Sequence, residues 1–134
     1  MSAMFTDEQV MIRDMAQKFA KDRLLPYSEA WDRDSHFPVD VIKAAAELGF
    51  AGIYVKDDVG GSGLTRTDAA LIFEQLSYGD VSTAAFISIH NMASWMIDTF
   101  GSDLQRQEWV PRLTTMDLIA SYCLTEPGAG SDAA

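Results

Sequence analysis

The sequence predicts a mainly α-helical fold, and two observations support that prediction. Apolar residues recur at three- and four-residue steps through most of the 134 residues, which places them on one face of successive helices. Ser, Thr and Asp residues stand just before several of these segments, where their side chains can accept hydrogen bonds from the first helical amides. The pattern changes at residues 118–125, near the carboxyl end.

The first fifty residues predict two helices. Thr6 and Gln9 have the spacing of a capping box, so the first helix begins there and runs to about Leu24. A second helix begins at Pro38, whose fixed φ suits a first helical turn, and ends at Gly49, which can adopt a positive φ. We expect these two helices to form an αα-hairpin.

A loop and two further helices are predicted after residue 56. Residues 57–68 are rich in glycine and polar residues, which is typical of a loop. Within it, Thr67 and the aspartate that follows can cap a third helix, which ends at about Gly79. Ser102 can begin a short last helix.

The helix between them is unusually apolar. Asp80 can cap it, and it extends over residues 81–100 with apolar side chains on nearly every side. This pattern predicts a helix that is covered all round, in the centre of a bundle or in an interface. Ala85, Ser88 and Met92 follow at steps of three and four residues and therefore share one face.

The carboxyl-terminal pattern predicts a strand followed by a turn. Residues 118–125 have no helical stripe, and residues 126–132 are dense in turn-forming residues. Gly128 and Gly130 could let consecutive N–H groups point outwards beside the Ser131 hydroxyl, which would form a nest for phosphate. The alternative is a structural turn that ends the strand. Because no comparable partner strand precedes it, we expect the sequence to be the beginning of a longer protein.

Composition excludes several classes of protein. With 48% apolar and 22% charged residues, the chain is neither disordered nor collagen-like. A net charge of -10 disfavours binding to nucleic acid and to anionic membranes. The single cysteine, Cys123, cannot form an internal disulfide, which favours a reducing compartment. No apolar run approaches the roughly 18 residues that span a bilayer, and no targeting peptide is visible, so we expect a cytoplasmic protein without membrane insertion.

Other catalytic and metal-binding motifs are excluded. The glycine-rich residues 60–65 are followed by Arg66 where a dinucleotide-binding loop needs its third glycine, so we interpret them as a flexible loop. His36 and His90 belong to no spaced ligand set, so we interpret both as structural histidines and expect no metal site. The sequence has no Gly-x-Ser-x-Gly nucleophile elbow, and no recognisable group of residues activates the Cys123 thiol. We therefore do not expect a hydrolase.

Residues 122–132, YCLTEPGAGSD, resemble the first signature of the acyl-CoA dehydrogenase family, flavoproteins that oxidise acyl-CoA thioesters to 2,3-enoyl-CoA. Four other segments resemble the family's amino-terminal helical domain, in order and at family spacing: FTDEQVMIRDMAQKFA, ELGFAGIYVKDDVGGSGL, LIFEQLSYGD and FGSDLQRQEWVPRL. STAAFISIHNMASWMIDTFG and ASYCLTEPGAGSDAA look most like the short branched-chain members, such as isobutyryl-CoA dehydrogenases. The resemblance covers the whole chain.

The resemblance implies both a domain organisation and a reaction. Residues 1–116 would form the amino-terminal helical domain, and residues 117–134 would begin a middle β-domain, whose remainder is absent together with a carboxy-terminal helical domain. In the implied reaction a carboxylate removes the α-proton of a short branched-chain acyl-CoA while the β-hydrogen leaves as hydride to the flavin of FAD. The base is expected in the absent carboxy-terminal domain, so this chain holds no catalytic residue, and Glu126 is interpreted as structural and bonded to nearby backbone.

The family signature also implies roles for five residues. Tyr122, Leu124 and Thr125 would contact the edge of the isoalloxazine ring. Gly130 and Ser131 would contact the rest of FAD, and Ser131 would also contact the acyl-CoA.

The resemblance further implies partners and an acyl pocket. Ala85, Ser88 and Met92 would help to select the acyl chain, and core packing is the alternative. Electrons would pass to an electron-transferring flavoprotein, the full-length protein would be a homotetramer, and the pathway would be catabolism of branched-chain amino acids or fatty acids. Three other functions stay open: an acidic helical interaction module without a cofactor, a family member that has lost catalysis, and a related flavin-dependent acyl-CoA oxidase.

Overall fold

Six α-helices account for most of residues 4–133, which are the residues described by the structure, a computed structural model. The helices are α1 (Asp7–Phe19), α2 (Ser28–Arg33), α3 (Val39–Glu47), α4 (Arg66–Gly79), α5 (Val81–Phe100) and α6 (Asp103–Thr114). A 3-10 turn, Asp57–Val59, lies between α3 and α4. The mainly α-helical prediction is confirmed, and within this range no helix has the length and apolar character needed to cross a membrane.

The first helix begins as predicted. The Thr6 hydroxyl accepts a hydrogen bond from the Gln9 amide at 3.1 Å, and the Gln9 side chain accepts one from the Thr6 amide at 3.1 Å. After α1 the chain makes one π-helical turn, Ala20–Leu24, in which the Leu25 amide donates to the Ala20 carbonyl at 2.9 Å. This wider turn packs closely on the end of α4, since a Cβ at Gly79 would lie 2.9 Å from the Cβ atoms of Ala20 and Leu24.

The predicted αα-hairpin is wrong. The unpredicted helix α2 separates α1 from α3, and α1 packs chiefly against α4. The α2 helix has neither a buried residue nor a side-chain cap. Neither an apolar stripe nor a capping residue therefore marks it in the sequence. The predicted end of α3 is confirmed, because Gly49 has a φ of +81°.

The connection from α3 to α4 is a loop, as predicted, and hydrogen bonds hold its backbone against the preceding residues. Amides of residues 62–64 donate to carbonyls of residues 52–55 at 2.8 to 2.9 Å. A Cβ at Gly61 would collide with the Val55 carbonyl, and Gly60 has a φ of +89°. These glycines are therefore required by close backbone approach and by a left-handed conformation.

Helix α4 begins two residues earlier than predicted. Its N-cap is Thr65, whose hydroxyl accepts from the Asp68 amide at 3.3 Å, while the Asp68 carboxylate accepts from the Thr65 amide at 2.8 Å. The predicted cap, Thr67, lies inside the first turn. The Asp68 carboxylate also accepts from the Gln9 side chain at 3.0 Å, and its hydrogen bonds, first that from the Thr65 hydroxyl, lower its pKa.

This corrected cap gives a stability test. Thr65→Ala is expected to lower the free energy of unfolding by about 1 kcal/mol, because it removes the hydroxyl that satisfies a first-turn amide. Thr67→Ala, the matched control, is expected to change it by no more than about 0.5 kcal/mol. Denaturant titrations of both variants would measure the difference, and an equal loss in both would contradict the assignment of the cap.

Helices α5 and α6 begin where predicted. The Asp80 carboxylate accepts from the Thr83 amide at 2.7 Å, and Ser102 forms a capping box with Gln105. The described residues leave part of α5 uncovered, so the expectation that it is covered all round, in a bundle or in an interface, stays a prediction. Near its carboxyl end Met96 is 41% exposed and Phe100 is 75% exposed.

The buried face of α5 carries polar residues that bind the loop between α3 and α4. Asn91 is fully buried, and its side-chain NH₂ donates to the Phe50 carbonyl at 2.7 Å and to the Ile87 carbonyl at 2.9 Å. Its side-chain oxygen accepts from the Ile53 amide at 2.7 Å. One amide side chain therefore satisfies backbone groups of a segment that has no regular secondary structure.

A second polar cluster joins the same loop to α6. The Asp98 carboxylate, 1% exposed, lies 2.8 Å from the Arg106 guanidinium and accepts from the Lys56 amide at 3.1 Å. The same guanidinium lies 2.9 Å from the Asp58 carboxylate. The buried acid is thus paired and hydrogen-bonded, as a buried charge requires.

Candidate functional site

The carboxyl-terminal segment leaves the helices after two backbone anchors. The Leu118 amide donates to the Arg112 carbonyl at 3.0 Å, and the Ala120 amide donates to Nδ1 of His90 at 3.0 Å. Over residues 121–133 no further hydrogen bond to the helices is found. The predicted strand 118–125 is not formed within residues 4–133, because a strand needs a neighbour to satisfy its backbone and none lies beside it.

A tight turn follows this extended stretch. The Glu126 amide donates to the Ala129 carbonyl at 2.9 Å, and the Ala129 amide donates to the Glu126 carbonyl at 3.1 Å. The Glu126 carboxylate has no hydrogen bond among the described residues, so the prediction that its side chain binds nearby backbone is wrong. Neither Gly128 nor Gly130 has a left-handed φ, so the left-handed form of a nest is not present.

The five residues that the signature implies for FAD lie at the surface of this segment. Tyr122 is half-buried. The other four are exposed: Leu124, Thr125, Gly130 and Ser131. A Cβ at Gly130 would lie 4.0 Å from the Thr125 side chain, which is an ordinary contact, and a Cβ at Gly128 would meet nothing within 4 Å. The packing of residues 4–133 therefore does not require glycine at either position.

The three residues predicted to select an acyl chain lie on one face of α5. Ala85 is exposed, and Ser88 and Met92 are half-buried. The Ser88 hydroxyl donates to the Ala85 carbonyl at 2.7 Å. None of them belongs to the buried core, which is evidence against the alternative of core packing. One turn beyond Met92, Met96 lines a groove of about 400 Å³ between α5 and α6.

His90 is the point at which α5 holds the carboxyl-terminal segment. Its side chain is fully buried, with Nε2 2.9 Å from the Leu113 carbonyl and Nδ1 3.0 Å from the Ala120 amide. Because an amide can only donate, Nδ1 carries no proton and Nε2 donates to Leu113. Burial lowers the pKa of His90, which favours this neutral form. The interpretation of His90 as structural is confirmed, but its contact with Ala120 was not predicted.

The predicted acyl-selecting residues and the anchor of the predicted FAD-binding segment lie on different sides of α5. His90 is two positions from both Ser88 and Met92, which is about 200° around a helix. Within the described residues the structure therefore does not bring the acyl-selecting face and the anchor of residues 122–131 together in one pocket. The segment offers exposed amides and hydroxyls that can bind a polar ligand, and it holds no acid–base pair. No group of metal-ligating side chains is found among residues 4–133.

Known proteins resemble this chain along nearly its whole length. Residues 6–117 match the family model described as acyl-CoA dehydrogenase, N-terminal domain. The mitochondrial isobutyryl-CoA dehydrogenase of Dictyostelium discoideum is 56% identical over 128 residues, and that of Bos taurus is 52% identical over 129. Each alignment covers 96% of this chain and 31% of the relative, so the chain spans less than a third of their length.

A solved structure agrees in fold. The crystal structure of an acyl-CoA dehydrogenase complexed with FAD from Bacillus anthracis is 35% identical and superposes with a TM-score of 0.85. The match covers 97% of this chain and 22% of that chain.

Proposed function

This chain belongs to the acyl-CoA dehydrogenase family, and from that membership we propose that it supplies the amino-terminal helical part of an FAD-dependent dehydrogenase. Its domains would be residues 1–116 and, from residue 117, the start of a middle β-domain. The substrate would be a short branched-chain acyl-CoA, oxidised to the 2,3-enoyl-CoA. The two relatives that are more than half identical to the chain and are named isobutyryl-CoA dehydrogenases support this substrate class.

The observation that carries the proposal is the exposed turn at the end of the described chain. The amides of Gly128, Gly130 and Ser131 make no hydrogen bond within residues 4–133, and the Ser131 hydroxyl lies beside them on the surface. The two glycines, Gly128 and Gly130, stand on either side of Ala129 and leave the backbone uncovered by side chains where no internal contact requires it. Such a surface fits the polar and anionic groups of FAD, which backbone amides can bind without a lysine.

In this proposal the chain binds and orients, and the acid–base chemistry belongs to residues beyond it. Tyr122, Leu124 and Thr125 would lie against the flavin ring, and Gly130 and Ser131 against the rest of FAD. When bound, FAD supplies a hydride acceptor. Exposed Leu124 would exclude water from the ring face, and the Thr125 hydroxyl would donate to a polar edge of the ring.

The substrate would be held from two directions. Ser131 would also contact the acyl-CoA, and the face of α5 that carries Ala85, Ser88 and Met92 would limit the volume available to the acyl group. This apolar face, open among the described residues, would be covered when substrate and the rest of the protein are in place. Holding the thioester in one orientation is itself a large part of catalysis in such reactions.

We further propose an electron-transferring flavoprotein as the electron acceptor and a homotetramer as the assembly. Catabolism of branched-chain amino acids or fatty acids is the pathway that the substrate class suggests. The cytoplasmic location stays a prediction from the sequence, and the two relatives are named as mitochondrial proteins. A flavin-dependent acyl-CoA oxidase would share the same site and differ in using oxygen as the acceptor.

The direct test is anaerobic mixing of the full-length protein, purified with FAD, with isobutyryl-CoA. Bleaching of the flavin absorbance, followed by faster reoxidation with electron-transferring flavoprotein than with oxygen, is the expected result. Reoxidation mainly by oxygen would indicate an oxidase. A protein that holds no flavin would contradict the proposed function.

Replacement of the one glutamate in the signature tests where the base lies. Glu126→Gln is expected to leave the rate of flavin reduction within about twofold, because loss of a true general base costs about 100-fold or more. The turn forms through the Glu126 backbone and should survive the change. Asp132→Asn, the same change of charge in the same exposed segment, is the control. A Glu126→Gln protein that binds FAD but is not reduced would place the base in this chain.

A further inference from the structure

We propose that His90 is a positioning residue for the flavin segment. By accepting a hydrogen bond from the Ala120 amide, it would fix where residues 122–131 leave the helical domain and hence where they meet FAD. This inference rests on the proposed function.

The anchor is rigid on its helical side. His90 lies in the middle of α5 with no exposed surface, so its ring cannot swing into solvent. Its second nitrogen donates to the Leu113 carbonyl at 2.9 Å, near the end of α6. The imidazole therefore joins three parts of the chain, namely α5, the end of α6 and the start of the segment.

The hydrogen bond between His90 and Ala120 limits how far the predicted flavin-contacting residues can move from the helices. Ala120 is the last residue of the described chain that a hydrogen bond holds to the helices, and Tyr122 is two residues further. Two extended residues reach at most about 7 Å. Without the bond to His90 the last anchor would be Leu118, and four residues reach about 14 Å, so the range open to Tyr122 would double.

The neutral imidazole performs two separable tasks. Nδ1 accepts from Ala120 and Nε2 donates to Leu113. In a matched pair of variants each task can be kept without the other: the Asn oxygen takes the place of Nδ1, whereas the Gln amide takes the place of Nε2. His90→Asn should keep the bond to Ala120, and His90→Gln should keep the bond to Leu113. Each variant loses one hydrogen bond, so similar losses of thermal stability are expected.

The first measurement is hydrogen exchange at the Ala120 amide in the FAD-free, full-length protein. His90→Gln is expected to speed this exchange by roughly tenfold, and His90→Asn to leave it close to that of the parent. This result does not depend on flavin. Unchanged exchange in His90→Gln would show that the anchor does not hold Ala120 and would overturn the inference.

The second measurement is the dissociation constant of FAD in the same proteins. His90→Gln is expected to weaken binding by about two- to tenfold and to shift the flavin absorption bands, while His90→Asn restores both. Equal weakening in the two variants would overturn the positioning role. If exchange at Ala120 is faster in His90→Gln but the full-length parent never binds FAD, the anchor stands and the proposed function is contradicted.

A second pair of variants keeps the test independent of changes to the buried core. Ala120→Pro removes the donor N–H while His90 is intact. Ser121→Pro, at an exposed neighbour whose amide makes no hydrogen bond among the described residues, is the control. Weaker FAD binding in Ala120→Pro than in Ser121→Pro supports the inference, and the same affinity in both contradicts it.

Discussion

Asn91→Ala is expected to lower the free energy of unfolding by about 2–6 kcal/mol, a large fraction of the stability of a domain of this size. Removal of the side chain leaves the Ile53 amide and the Phe50 carbonyl buried without a partner, because Asn91 supplies the bond to each. Each unsatisfied buried group costs about 1–3 kcal/mol. Guanidinium unfolding followed by circular dichroism would measure the loss.

Ser94→Ala is the matched control for this variant. Ser94 is equally buried on the same helix, but its hydroxyl donates to the His90 carbonyl of its own helix, which lies four residues earlier and accepts a helical amide as well. Its removal leaves no backbone group unsatisfied, and a change of less than about 1 kcal/mol is expected. Similar losses in both variants would mean that Asn91 does not hold the loop.

Gly130→Val is expected to weaken FAD binding by about 100-fold or more, which corresponds to roughly 3 kcal/mol, while the helices stay folded. A side chain at this position meets only an ordinary contact with Thr125 in the described chain, so folding has no reason to suffer. The loss would therefore report a ligand that approaches the backbone closely. Fluorescence titration of the FAD-free, full-length protein would give the affinity.

The same substitution at another glycine should have the opposite outcome. A Cβ at Gly79 would lie 2.9 Å from the π-helical turn, so Gly79→Val should destabilise the helical domain. A folded Gly79→Val protein is expected to bind FAD as the parent does. Normal FAD affinity in Gly130→Val would contradict the assignment of Gly130 to the flavin site.

Helix starts were predictable where one side chain bonds to a backbone group three residues away. The Thr6 and Asp80 caps depend on such local pairs and are found where the sequence places them. The cap of α4 was placed wrongly because Thr65 and Thr67 both stand near Asp68, and only the spacing of three residues lets each side chain reach the other's amide. The αα-hairpin prediction was wrong because packing between segments distant in sequence decides which helices contact each other, and α1 packs chiefly against α4.

The candidate site was predictable in its residue types but not in its attachment. The signature locates the exposed turn, whereas the bond between His90 and Ala120 joins residues 30 apart in sequence and leaves no periodic pattern. One feature could have pointed to it: His90 and Asn91 interrupt an apolar helix, and buried polar side chains need partners. The predicted strand did not form among residues 4–133, since a strand needs a neighbour and a local pattern does not supply one.

The π-helical turn after α1 has a consequence for insertions and deletions. A π-turn holds one residue more than an α-helical turn, so the chain already contains a tolerated one-residue insertion between Ala20 and Leu25. Deletion of one residue within this turn, such as the exposed Asp22, would let the helix return to α-helical hydrogen bonding while the residues on either side keep their places. Leu24 would then stay buried, so this turn is a point at which the helix can shorten by one residue without disturbing the core.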